Sequence, residues 1–120
     1  MYHNQRIGKF GEELARKYLI GNGYKIIDQN VKTSFKEIDI IAEENDELVF
    51  VEVKTRTSLM FGGAEEALTP AKINNFKKGV ELYLIWRDYL DNKEIRLDLI
   101  SVDIGKDKKT AKIKHYKDIF

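Results

Sequence analysis

Cysteine is absent from this sequence, which excludes disulfide bonds and metal sites built from thiolates. Proline occurs once in 120 residues and no low-complexity tract is present, so we expect no linker between domains. No apolar run approaches the roughly 20 residues that a membrane-spanning helix needs. Residues 1–13 lack the apolar centre of an export signal. We therefore expect a cytoplasmic protein with no membrane partner.

The composition is typical of a folded globular protein. The hydrophobic fraction is 42% and the charged fraction 34%, a balance that argues against disorder. A chain of this length can bury a core without cross-links and suits one domain. We expect a single domain over residues 1–120.

Charge is distributed unevenly along the chain, although the net charge is only +1. Residues 37–52 contain seven acidic and no basic side chains, whereas residues 104–117 contain six lysines and one aspartate. An acidic centre can hold a cation and basic flanks can hold phosphates. Solvated surface charge explains the lysine run equally well, and both interpretations stay open.

The hydrophobic pattern predicts two helices and five strands. Apolar residues at helical spacing mark residues 5–20, and Thr69-Pro70 begins a second helix that continues to about residue 90. The predicted strands cover residues 24–31, 36–43, 47–54, 95–104 and 111–116, and residues 57–68 are expected to form a loop. The order α-β-β-β-α-β-β predicts an α/β domain with a mixed central β-sheet flanked by helices.

The second and third strands form a predicted hairpin that carries most of the acidic centre. With residues 45–46 as the turn, Asp39 lies opposite Glu52, and Glu37 lies opposite Lys54. Side chains directly opposite each other have Cβ atoms about 4.5–5.5 Å apart. Strand alternation places the following residues on the face expected to pack into the core: Ile38, Ile40, Ala42, Val49, Val51 and Val53.

Two carboxylates facing each other destabilise a sheet unless a cation lies between them. Magnesium binds a few carboxylates together with waters and phosphate oxygens, as phosphodiester hydrolysis requires. Glu12, at the border of the buried stripe of the first helix, could supply a third acid, and Lys54 could stabilise developing negative charge. Ordinary alternation of a half-exposed strand, with Glu37 and Lys54 as an ion pair, remains the alternative.

Other charged residues have two interpretations each. Lys72, in the first turn of the second helix, and Arg56 could bind nucleic-acid phosphates, or could be solvated surface charge. Asp98 is expected on a strand surface near Arg96, and His115 is expected to be exposed.

Four motifs together resemble a known family. They are Gly8-x-x-Gly11-Glu12, then Glu37-Ile38-Asp39, then Phe50-Val51-Glu52-Val53-Lys54-x-Arg56, and finally Lys72 after Thr69-Pro70. This set resembles the YraN-like family of small bacterial proteins, over nearly the whole chain. That family is similar to archaeal Holliday-junction resolvases and belongs to the restriction-endonuclease-like superfamily with the PD-(D/E)-x-K motif. Two positions depart from the usual pattern: Ile38 replaces proline, and Lys36 replaces the glycine before Glu-Ile-Asp.

The resemblance implies a restriction-endonuclease-like fold and a metal-dependent endonuclease acting on DNA, including branched or damaged DNA. It implies Glu12, Asp39 and Glu52 as ligands of Mg²⁺ or Mn²⁺, with Asp39, Glu52 and Lys54 as the catalytic residues. A nucleic-acid-binding module without chemistry and a structural interaction domain remain the alternatives, because a fold alone does not establish a function. The edge strand, the second helix and the resemblance to resolvases also leave a homodimer open.

Overall fold

The computed structural model describes residues 2–57, 69–87, 93–107 and 109–120, with side chains from Arg6 onward. Residues 58–68 of the predicted loop and the predicted end of the second helix, residues 88–90, lie outside this part of the chain. None of the described helices is long and apolar enough to cross a membrane.

The element order matches the prediction. The elements are α1 (Tyr2–Gly21), β1 (Lys25–Val31), β2 (Ile38–Glu44), β3 (Glu47–Thr57), α2 (Pro70–Trp86), β4 (Glu94–Ile104) and β5 (Ala111–Tyr116). Helix α2 begins as predicted, because the Thr69 side chain accepts a hydrogen bond from the backbone N–H of Lys72 and Pro70 opens the first turn.

The five strands form one mixed sheet in the order β1-β2-β3-β4-β5. Strands β3 and β4 are parallel and are connected through α2, whereas every other neighbouring pair is antiparallel. The predicted α/β fold with a mixed sheet is therefore confirmed. The hairpin register is also confirmed: Glu44 pairs with Glu47 across the turn, and Ile40 pairs with Val51.

Both faces of the sheet are buried, as expected of a sheet flanked by helices. Helix α1 covers one face, where the buried residues include Ala15, Leu19, Ile40, Ala42, Val49, Val51, Ile100 and Val102. Helix α2 covers the other, where Ile38, Ile41, Leu48, Phe50, Phe76, Val80 and Tyr83 pack together.

Ile38 is buried in the core as predicted, but the prediction that it shares a face with Ile40 was wrong. It packs with Ile41 on the α2 face, at a point where β2 still pairs with β1 through Val31 but no longer pairs with β3.

Close contact between α1 and β3 depends on Gly11. A Cβ atom at this position would overlap the side chain of Thr55. The absence of a side chain at Gly11 lets the helix lie against the strand, and this approach brings the adjacent Glu12 to the end of the hairpin.

Asp98 and His115 belong to a buried polar cluster, which contradicts their expected exposure. Asp98 is fully buried, and the His115 side chain is 5% exposed. A hydrogen bond of 2.7 Å joins His115 Nε2 to Asp98 Oδ2, and Tyr18 contacts the other ring nitrogen. Arg96 and the backbone N–H of Asp118 also donate to Asp98. Burial alone would raise the pKa of Asp98, but the hydrogen bonds from His115 and Arg96 lower it below its ordinary value.

Candidate metal centre

Three carboxylates converge where α1 meets the start of β2. Ligand oxygens of Glu12, Glu37 and Asp39 all lie within 4.8 Å of one another. Glu12 comes from α1, Glu37 precedes β2, and Asp39 is the second residue of that strand. The structure thus brings together two of the three predicted metal ligands and adds Glu37, for which an ion pair with Lys54 was the alternative interpretation.

Asn30 connects two of these acids. Its Nδ2 donates to Glu12 Oε1 at 2.8 Å and to Glu37 Oε1 at 3.2 Å. Within the described part of the chain no ion pair joins Glu37 to Lys54, so the alternative interpretation of these residues as a cross-strand ion pair is not supported. The reason is local: regular pairing between β2 and β3 stops at Ile40, which leaves Glu37 free to turn toward Asn30.

The ladder of backbone hydrogen bonds between β2 and β3 ends at Asp39, because the side chain of Asp39 takes the place of a backbone acceptor. Its Oδ2 accepts a hydrogen bond of 2.8 Å from the backbone N–H of Val53. Burial, together with the charge and hydrogen bond of Glu52 and the charge of Glu12, raises the pKa of Asp39 to about 9, although the Val53 N–H opposes the shift. At neutral pH the metal-free protein therefore holds a proton on Asp39.

Glu52 has a second partner that the sequence did not reveal. The Lys36 ammonium lies 2.7 Å from Glu52 Oε2, and the two side chains are 26% and 22% exposed. One carboxylate thus contacts the carboxyl group of Asp39 and an ammonium group at the same time. This arrangement lowers the repulsion that a cluster of four acids would otherwise have.

The donor set fits Mg²⁺ or Mn²⁺. All candidate ligand atoms are carboxylate oxygens, which hard divalent cations prefer, and the described residues bring no imidazole or thiol into the cluster. Three carboxylates at this spacing leave coordination positions for waters and a phosphate, as magnesium sites usually require. Glu12 and Asp39 belong to both the predicted and the observed groups, whereas Glu37 belongs only to the observed group and Glu52 only to the predicted one.

The predicted basic residues lie on the elements around this centre. Lys54 and Arg56 are half-buried on the same face of β3, level with Ser101 and Asp103 of β4. Lys72 is exposed in the first turn of α2. Their assigned roles in catalysis and phosphate binding stay predictions.

Comparison with known proteins agrees with the motif resemblance. A model of the family described as "Uncharacterised protein family UPF0102" matches residues 11–102. A UPF0102 protein of Syntrophomonas wolfei is 44% identical over 117 residues, covering 98% of this chain and 99% of its own length. A UPF0102 protein of Flavobacterium psychrophilum is 44% identical over 118 residues, covering 98% and 95%. One from Clostridium botulinum is 37% identical over 119 residues, covering 99% and 97%. The chain therefore belongs to the UPF0102 family, the YraN-like family that its motifs resemble.

Proposed function

We propose that this protein is a cytoplasmic endonuclease that hydrolyses phosphodiester bonds in DNA, including branched or damaged DNA, with Mg²⁺ or Mn²⁺. The observation that carries the proposal is the half-buried carboxyl of Asp39, held against Glu52 and Glu12. Such a group of acids is unfavourable without a proton or a cation. A metal ion bound there would replace the proton and use the carboxylates as ligands.

Each residue of the centre has a defined part in this reaction. Glu12, Asp39 and Glu52 would hold the metal, and Glu37 offers a further oxygen. The metal supplies Lewis-acid polarisation of the phosphoryl group and lowers the pKa of a bound water. Lys54 stabilises the negative charge that develops on the phosphate oxygens. Asp39 would release its proton to solvent when it becomes a metal ligand, so we expect the site to bind metal more readily as the pH rises.

A basic surface on β5 supports DNA as the substrate. Ile113 packs toward α1, so Lys112 and Lys114 extend from the opposite face of the edge strand, and both are exposed. The sheet register aligns Lys114 with Lys54 and Lys112 with Arg56, two strands apart in each case. That separation is about 10 Å on the same face of the sheet. A nucleic-acid backbone crossing this edge would meet positive charge on the way to the acidic centre.

A nucleic-acid-binding module without chemistry is the second candidate. The observation that favours it is the Lys36 ammonium on Glu52, which already neutralises a predicted metal ligand. Such a module would bind DNA with strong salt dependence and would not cut it.

Cleavage assays separate the candidates. The wild type is incubated with four-way, flapped and linear DNA in Mn²⁺ and in EDTA, beside Asp39→Ala and Glu52→Ala. We expect metal-dependent cleavage by the wild type and none by either variant, while Asp46→Asn, in the exposed hairpin turn, keeps full activity. Retained cleavage in both alanine variants would refute the assignment. Salt-sensitive binding without cleavage would favour the binding module, and the absence of both would favour a structural interaction domain.

A further inference from the structure

The loop between β1 and β2 has a fixed structure that ends at Lys36. The Thr33 hydroxyl donates to the backbone carbonyl of Lys36 at 2.6 Å and accepts from the backbone N–H groups of Phe35 and Lys36. Helix α2 packs against this turn at Gly79, where an added Cβ would lie 3.0 Å from Thr33 Oγ1 and 3.5 Å from the Lys36 carbonyl. The backbone that carries Lys36 is therefore held from two sides.

This fixed backbone directs the Lys36 side chain into the acidic centre. Its ammonium is 2.7 Å from Glu52, and about three quarters of both side chains is buried. Glu52 in turn contacts Asp39. Lys36 is none of the residues assigned above to metal binding or to catalysis.

We propose that Lys36 is a built-in counter-cation of the acidic centre and that it exchanges with the divalent metal at Glu52. This inference rests on the proposed metal site. Without metal, the ammonium compensates the charge of Glu52. When a divalent ion takes the Glu52 oxygen, the ammonium leaves it, because two cations sharing one carboxylate repel each other at this distance. Metal binding therefore competes with an internal ion pair, and Lys36 sets the metal concentration at which the site fills.

The inference predicts opposite effects of one substitution with and without metal. Lys36→Met leaves the half-buried Glu52 carboxylate uncompensated, so the metal-free variant unfolds at a lower temperature than the wild type at pH 8. The same variant binds Mn²⁺ more tightly, with a half-saturating concentration lower by about tenfold or more, because no ammonium has to be displaced. Lys32→Met is the matched control: it removes an exposed lysine of the same segment and should titrate like the wild type.

The measurement is the melting temperature of wild type, Lys36→Met and Lys32→Met over a Mn²⁺ titration, since a ligand that binds the folded state raises it. Lys36→Gln is a second variant, which keeps a hydrogen-bond donor but removes the charge. It should behave like Lys36→Met. It takes the place of Lys36→Met in the experiment if that variant does not fold. Tighter Mn²⁺ binding in the Lys36 variants alone supports the exchange. Equal half-saturation in all proteins overturns the exchange and leaves the metal site standing. The absence of any Mn²⁺ effect in all proteins overturns both.

Discussion

Because Asp39 holds a proton, the free energy of unfolding of the metal-free protein should depend on pH. An ordinary aspartate in the unfolded chain titrates near pH 4, whereas the pKa of Asp39 in the folded protein is about 9. Between these values the folded state binds one more proton than the unfolded state. The free energy of unfolding of the metal-free protein therefore falls as the pH rises through this window. For one proton the slope is about 1 kcal/mol per pH unit, so the loss between pH 6 and pH 8 is on the order of a few kcal/mol.

Asp39→Asn removes this dependence. The amide resembles the protonated carboxyl: its oxygen can accept from the Val53 N–H, and its NH₂ can donate to Glu52. We expect the variant to lose most of the slope and to be more stable than the wild type at pH 8 in EDTA. Urea unfolding at pH 6, 7 and 8 measures this difference.

The control for this experiment is Asp46→Asn. Asp46 is exposed in the hairpin turn with a φ of 65°, a conformation that asparagine also adopts readily. This variant should keep the wild-type slope. Equal slopes for the wild type and Asp39→Asn would refute the argument that Asp39 holds a proton at neutral pH.

Three further predictions concern packing, the buried polar cluster and the basic edge. Arg96→Met removes a buried guanidinium that donates to Asp98, and we expect a loss of about 3–5 kcal/mol in equilibrium unfolding. Gly11→Ala forces α1 away from β3, with an expected loss of about 1–3 kcal/mol in the same assay and weaker Mn²⁺ binding, because Glu12 moves with the helix. Joint replacement of Lys112 and Lys114 by glutamate should weaken DNA binding and lower the salt slope, measured by fluorescence anisotropy, by about 2 units.

Each of these predictions has a control in the same chain. Arg87→Met breaks a surface ion pair and should cost less than about 1 kcal/mol; an equal loss would contradict the special role of the buried arginine. Gly8→Ala meets no atom within 4 Å and should stabilise α1 by about 0.5–1 kcal/mol, opposite in sign to Gly11→Ala. Glutamate at the exposed Lys17 and Lys25 should leave DNA binding closer to wild type than the β5 double variant. A similar loss in both pairs would mean that only net charge matters.

The features that sequence analysis predicted correctly are governed by local rules. The hairpin register follows from the two-residue turn and the strand period, and Asn45 and Asp46 adopt the positive φ angles that such a turn needs. The start of α2 follows from Thr69 and Pro70. The prediction of β5 over residues 111–116 agrees with the structure in both bounds.

The features that were missed depend on contacts between distant segments. Asp98 looked like a surface acid because its burial requires Arg96 beside it and His115 from β5. In the sequence, Lys36 was only a departure from the motif. Its contact with Glu52 was missed because it depends on the Thr33 turn, which brings the ammonium to that carboxylate. No periodic pattern encodes these side-chain networks. A charged residue inside an apolar strand, as in the segment around Asp98, is the one signal that could have indicated a buried pair.

Direct counting of bound Mn²⁺ tests the central claim, that the carboxylates around Asp39 form a metal site. Electron paramagnetic resonance of free Mn²⁺ gives the number of bound ions and their affinity at pH 8 for the wild type and Asp39→Ala. The account predicts saturable binding by the wild type, tighter at pH 8 than at pH 7 because the metal displaces the Asp39 proton, and loss of that binding in the variant. Equal binding by both proteins, or no saturable binding by the wild type, would contradict it.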